Sequence, residues 1–269
     1  MENNKSVMDY YESYNENERL YRDSLEFIRT KDILKRNLPK NSIKIIDLCG
    51  ASGHYAYWLA EMGHEVHLMD LSPKHINEAI DNSKKYNAKL ASISCGDARS
   101  LGYENESFDM VLLMGALYHL QEKEDRLLCL KETRRILKNN GIAAFTYISR
   151  YSAMLDGFIK GFIYNTDNSE INEKLLTGRH NNPENKRGNF TTAYLHTVHD
   201  IYEELVYSNF SDITLYAIEG FGAFLNKEEY INDPEKMEKL LNYLRKTEQE
   251  ASMMGIAFHQ IAICKKYDI

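Results

Sequence analysis

Three aspartates stand at or just beyond the ends of short apolar runs. Asp47 sits near the end of "IKIIDL", Asp70 closes "EVHLMD" and Asp97 follows "LASISC". Between the first two runs lies "CGASGHY", where small residues and the glycines Gly50 and Gly53 lead from one element into the next. Such a turn lets backbone N–H groups and a helix N-terminus approach a ligand closely. Ionised carboxylates beside it are good acceptors for hydroxyl and amino donors. Two histidines are candidates for proton exchange near neutral pH: His119, preceded by Tyr118 in "ALYHL", and His196 in "TTAYLHT". Arg150 could hold an acidic acceptor, and Tyr10, Tyr11 and Tyr14 could close over a ligand as a lid. Each residue alone also has a structural explanation: a solvated strand-end acid, a loop-fixing or helix-capping histidine, a surface ion pair, a core-facing aromatic stripe. Three acids at the ends of successive runs beside one glycine turn are harder to explain that way, because open α/β sheets bind ligands at that edge.

The elements that must position these residues alternate. Strands are predicted at "IKIIDL", "EVHLMD", "LASISCGD", "DMVLLMG" and "GIAAFTYIS", with helices at "HYAYWLAEMG", "PKHINEAIDNSKKYN" and "KEDRLLCLKETRRILKN". Gly63 and Asn140-Gly141 read as helix stops. Alternation of this kind predicts an α/β fold, a parallel sheet with helices on both faces. Residues 8–37 form an amphipathic, tyrosine-rich helical stretch, and residues 1–40 are read as a helical cap. Residues 41–149 are the ligand-binding core. Residues 150–196, with a helical start and the polar loop "GRHNNPENKRGNF", read as a lid or substrate-shaping insertion. Residues 197–269 add a helix, a strand, a second helix and a final strand, "AFHQIAICKK", so two late strands can pair antiparallel at the sheet edge.

Bulk properties narrow the class. The chain has 269 residues, 43% hydrophobic and 27% charged, with a net charge of −7, which suits a soluble globular protein and argues against a dedicated nucleic-acid binder. The polar, acidic start does not read as a targeting peptide, and the longest apolar run, "MVLLMGALY", is far short of a membrane span. The cysteines Cys49, Cys95, Cys129 and Cys264 form no CxxC pair, so reduced thiols, a cytoplasmic setting and no metal are expected.

Two ligands compete for the glycine turn. A dinucleotide fingerprint, G-x-G-x-x-G/A, fits "ASGHYA" only with Ala51 in place of the first glycine. The surrounding acids favour the S-adenosylmethionine turn of class I methyltransferases. From Asp9 onward the chain resembles a branch of small-molecule-type bacterial members carrying a D-[IL]-G-G-G-P-G-R-Y turn, a "DLSP" second strand and "LYHL" after strand four. Those read here as "DLCGASGHY", "DLSP" and "ALYHL", followed by "EDRLLCLKETRRILKNNG" and "YISRYS". Cys49 and Ala51 replace usual glycines, and Ser52 replaces proline. A β-carbon at 49 and 51 is accommodated if the backbone there stays out of the left-handed region.

The resemblance implies a Rossmann-like, seven-stranded, mostly parallel sheet with the last strand inserted antiparallel. It also implies an enzyme that moves a methyl group from S-adenosyl-L-methionine to a small-molecule acceptor, acting as a monomer or homodimer without nucleic-acid or membrane partners. The cofactor's carboxylate end would lie near Cys49, Gly50, Ala51 and Gly53, with Asp47 and Tyr55 beside it. Asp70 would take the ribose. The adenine would lie between Leu71 and Asp97–Ala98. The sulfonium would face Met114 to His119, under Tyr11, with Tyr118, His119 and His196 as candidate catalytic groups. Alternative readings are an inactive protein that retains cofactor binding and a nicotinamide-dependent oxidoreductase. An amino-methylating enzyme of nucleic acid or protein often has an Asn/Asp-Pro-Pro-Tyr turn after strand four, where this chain has "GALY".

Overall fold

Side chains alternate across a strand, so a strand covered on both faces needs apolar residues at consecutive positions. The strand β1 (Lys44–Leu48) meets that need: Ile46 and Leu48 join one core and Ile45 the other. The same division runs through β4 (Phe108–Leu113) and β5 (Leu137–Ile148), where Val111, Leu113 and Phe145 face one side and Met110, Leu112 and Ala144 the other. On the first side Leu130 and Ile136 of α5 (Lys123–Ile136) and Ile201 and Leu205 of α8 (Val198–Tyr207) complete the core. On the second side pack Ile33 and Leu34 of α2 (Ser24–Asn37), Leu59 of α3 (His54–Glu61) and Ala79 of α4 (Pro73–Asn82). Fully burying each such aliphatic side chain stabilises the fold by roughly 1.5–3 kcal/mol.

In this computed structural model, which describes residues 2–13, 24–164, 168–182, 184–185 and 190–267, the main sheet has seven strands. With β2 (Glu65–Asp70), β3 (Ser92–Cys95), β8 (Phe210–Ala217) and β9 (His259–Lys266), the order is β3-β2-β1-β4-β5-β9-β8. β9 is antiparallel to β5 and β8, and the other neighbours are parallel. This is the expected Rossmann-like sheet with its last strand inserted antiparallel. The strand order reverses between β1 and β4, so a crevice opens above their C-terminal ends.

Several boundaries differ from expectation. α5 stops at Ile136, because Glu106 and Ser107 donate their N–H groups to the Arg135 and Ile136 carbonyls and draw the chain into β5. Asn140, at φ +63°, and Gly141 therefore bend a strand instead of ending a helix. The helical stretch over 8–37 is divided: α1 spans Glu2–Ser13 and α2 begins at Ser24. Tyr14 lies outside the described residues. The polar loop after 178 contains a small hairpin, Arg179–His180 against Ala193–Tyr194. No described helix is long and apolar enough to cross a membrane.

Candidate cofactor and acceptor site

The turn after β1 is tied to the sheet. Cys49 and Gly50 donate their N–H groups to the Met69 carbonyl at 2.7 and 3.3 Å, and Gly53 donates back to the Gly50 carbonyl. Cys49 and Ala51 adopt φ of +59° and +47°, so they occupy glycine-type left-handed positions and do not avoid them. For a residue with a β-carbon, that conformation costs about 1–2 kcal/mol. The turn holds it through the Met69 carbonyl and through Asp70, whose Oδ2 accepts from the Ala51 N–H at 2.9 Å. Gly50 has no such latitude: a β-carbon there would lie 2.7 Å from Asp47 Oδ2.

Asp70 is 7% exposed and does more than end a strand. Its Oδ1 accepts from the Ser72 N–H at 2.9 Å and contacts His75 Nδ1 at 3.1 Å. Asp47 is fully buried, and neither oxygen has a hydrogen-bond partner of good geometry among the described residues. Burial first, then the Asp70 charge, pushes its carboxyl up to about 8, with the Ala56 N–H only partly offsetting them. Asp97 is held by Arg99 through Nε and Nη2, the latter at 2.7 Å, and Arg99 also reaches Asp125 at 3.1 Å.

These residues form one end of a cavity of about 1280 Å³, counting its open mouth. Asp47, Cys49, Gly50, Ala51, Asp70 and Leu71 line that end, continuing to Asp97 and Ala98. Tyr55, Met114, Tyr118 and His119 also line the cavity, as does Tyr11 from α1. Tyr11 Oη lies 3.0 Å from His119 Nε2, which pins α1 over the turn after β4. Gly53 does not line the cavity; at φ +86° it starts α3.

Two expected site residues lie elsewhere. His196 is fully buried, pairs by backbone with β5, and sits 3.6 Å from Glu204, which Arg126 clamps at 2.7 Å. It does not line the cavity, and burial holds its ring below the usual histidine range. Arg150 is taken by Asp200 at 2.7 Å and by Tyr194 and Leu195, so it is not available to an acceptor. Among its described residues, the 150–196 segment also contributes no lining residue. It braces the site from outside: Phe190 stacks on His119 with ring centroids 5.5 Å apart, and Asn185 donates to the Ser6 carbonyl.

A family described as a methyltransferase domain matches residues 46–145, the segment that carries the turn and all three acids. The uncharacterised Bacillus subtilis methyltransferase YcgJ is 22% identical over 170 residues, covering 61% of this chain and 65% of its own length. A Methanosarcina mazei S-adenosylmethionine-dependent methyltransferase structure matches 87% of this chain and 97% of its own, at 17% identity and a TM-score of 0.59. A Pyrococcus horikoshii protein structure matches 96% and 98%, also at 17% identity, with a TM-score of 0.60. Residues 46–145 thus match a methyltransferase domain, and the fold is that of S-adenosylmethionine-dependent methyltransferase structures.

The residues at this site fit S-adenosylmethionine, the cofactor that the matching domain and fold imply. The Gly50 cradle would be filled by a single β-carbon, and Asp47 keeps buried polar oxygens on the cavity wall. At the far end the cavity reaches Glu26 and Thr30 of α2, Thr146 of β5, Ile218 after β8 and His259 at the start of β9. None of these five was singled out from sequence, because they come from four distant segments. Topology held the one available signal. An antiparallel strand inserted among parallel ones brings its first residue, here His259, to the edge where the others end.

Proposed function

We propose that the protein transfers a methyl group from S-adenosylmethionine to a small-molecule acceptor bound in the same cavity. One observation carries this reading: the cavity runs without interruption from the Gly50–Asp70 turn to polar groups on β5 and β9. When bound, the cofactor supplies an already activated methyl on a sulfonium, so the protein's task is alignment and exclusion of water. Asp70 would take the ribose hydroxyls with acceptor capacity left over from its internal bonds, since a carboxylate offers about four lone-pair sites. Leu71, Asp97 and Ala98 would surround the adenine. Met114 to His119 would face the sulfonium, under Tyr11. Tyr118 is retained as a wall of the acceptor space, and His119 as the residue that fastens α1 through Tyr11. Residues 2–13 and 150–196 together serve as cap and brace. We place the protein in the cytoplasm as a monomer or homodimer.

Isothermal calorimetry with S-adenosylmethionine, S-adenosylhomocysteine and nicotinamide dinucleotides tests the cofactor end. Incubation with radiolabelled cofactor and a panel of small phenols, thiols and amines tests the rest. Binding of the first two ligands, with label transferred to at least one class, is expected. Binding without transfer to any class would favour an inactive cofactor-binding protein, and binding of only the nicotinamide ligand would sink the proposal.

A further inference from the structure

Val7, Met8 and Tyr11 of α1 line the cavity, and separations of three and four residues put them on one face of the helix. Contacts from several segments hold that face inward. Asn185 donates to the Ser6 carbonyl at 2.7 Å, the Tyr10 ring meets Phe190 edge-on at 5.8 Å, and Tyr11 Oη lies 3.0 Å from His119 Nε2. A further tie comes from the cofactor end. Lys74 Nζ donates to the Tyr11 and Glu12 carbonyls at 2.6 and 2.9 Å. The last carbonyls of a helix have no partner within it and form its negative pole, so an ammonium there meets both needs. Charge-assisted bonds of this kind are roughly twice as strong as neutral ones.

Lys74 stands in the first turn of α4, between two contacts of Asp70. Asp70 Oδ1 accepts from the Ser72 N–H on one side and meets His75 Nδ1 at 3.1 Å on the other. The Tyr11 ring packs edge-on against both His75 and His119, with centroids 5.2 and 5.5 Å apart. Tyr11 therefore joins the proposed ribose carboxylate to the turn after β4, and Lys74 anchors the carbonyl of that same residue. Lys74 does not itself line the cavity, so its influence on a ligand there passes through its neighbours. On the methyl-transfer reading above, we infer that α1 is a strap that closes over bound S-adenosylmethionine. Lys74 is its positioning residue and sets how long the cofactor stays. A ribose on Asp70 would lie against the Asp70–His75–Tyr11 contact, so an occupied site and a closed strap favour each other. Closure follows the encounter, so the tie acts on release more than on association.

The test starts with calorimetry of the parent. Failure to bind S-adenosylmethionine would overturn the methyl-transfer reading and the strap together. The full chain loaded with radiolabelled S-adenosylmethionine is then chased with excess S-adenosylhomocysteine, alongside Lys74→Met and Lys74→Arg. Lys74→Met keeps the apolar stem and removes the charge. Its release should be about 3- to 30-fold faster, the loss of charge-assisted bonds discounted for water around Nζ. The association rate should stay at the parent value, and Lys74→Arg should recover most of the difference. Hydrogen exchange supplies the readout that a merely structural lysine would not move. Cofactor should slow exchange of the α1 amides severalfold in the parent and less in Lys74→Met, with β1 and β4 alike in both proteins. An unchanged release rate in Lys74→Met would overturn the role of Lys74. Faster release with α1 protected as in the parent would place the effect in α4 and overturn the strap. So would α1 amides that exchange alike with and without cofactor, or faster exchange throughout the sheet. Each of these outcomes leaves the methyl-transfer reading standing.

Discussion

The two ends of the cavity are built in opposite ways. At the cofactor end nearly every contact is local: Asp70 reaches Ala51, Ser72 and His75, and Asp97 is gripped by Arg99 two residues on. At the acceptor end Glu26, Thr146, Glu219 and His259 meet from segments more than a hundred residues apart at the extremes. On the proposed assignment, the cofactor end can keep its shape while the acceptor end is rebuilt residue by residue on a fixed sheet. Within a single fold, that separates a common reagent from a varied substrate.

The largest expected effect tests whether His196 belongs to the acceptor end. Glu204 is 2% exposed and its charge is compensated by Arg126. Glu204→Ala would leave that guanidinium buried and unpaired, at a cost of about 3–5 kcal/mol in chemical denaturation. Cofactor affinity extrapolated to the folded fraction should not change. A stable variant that has lost acceptor binding would move this network into the site.

Next comes the cofactor end itself. Asp70→Ala removes charge-assisted bonds to a ribose, and at about 1.5–3 kcal/mol for each such bond, discounted for non-additivity, binding should weaken about 10- to 1,000-fold. Because Asp70 also tethers the Ala51 and Ser72 amides, the melting temperature should fall as well. A strand-end acid in solvent would produce neither effect. His259→Asn, at the other end, should leave cofactor binding at the parent value, and a matching loss there would erase the distinction between the ends.

Asp47 gives a pH-dependent test. Its folded pKa, about 8, lies above the ordinary carboxylate value, so the native state binds the extra proton between about pH 4 and pH 8. Its contribution to stability is therefore highest in acid, declines as pH rises through that window, and is fully lost above the folded pKa. Asp47→Asn should flatten this decline, whose limiting slope is about 1.4 kcal/mol per pH unit. Parallel pH–stability curves for parent and variant would mean that Asp47 is ionised and partnered in solution.

The smallest expected effect concerns the cap. Tyr11→Phe removes one neutral hydrogen bond, at about 0.5–1.5 kcal/mol, so α1 should exchange its amide hydrogens severalfold faster. His119→Gln should slow methyl transfer about 2- to 10-fold on the same energy scale, because it removes the Tyr11–His119 hydrogen bond that holds α1. A loss of several hundredfold in His119→Gln would place a general base in the turn after β4.

The same asymmetry explains what was legible in the sequence. The sheet could be read from apolar runs and glycine stops, and the three acids from their place at strand ends. The left-handed backbone at Cys49 and Ala51 could not, because neither side chain signals it and only the bonds to Met69 and Asp70 hold it. His196 and Arg150 misled because polar residues near a predicted lid look alike whether they face a ligand or one another. Glu26, Glu219 and His259 carry no mutual spacing; the pairing of β8 with β9 and the bond from Arg29 of α2 to the Ile218 carbonyl bring them together.

The most direct test is a crystal structure with S-adenosylhomocysteine bound. The ribose is expected on Asp70, the adenine against Leu71 and Ala98, and the thioether sulfur open toward Thr146 and His259. A ribose away from Asp70, or a sulfur walled off from His259, would contradict the two-ended cavity.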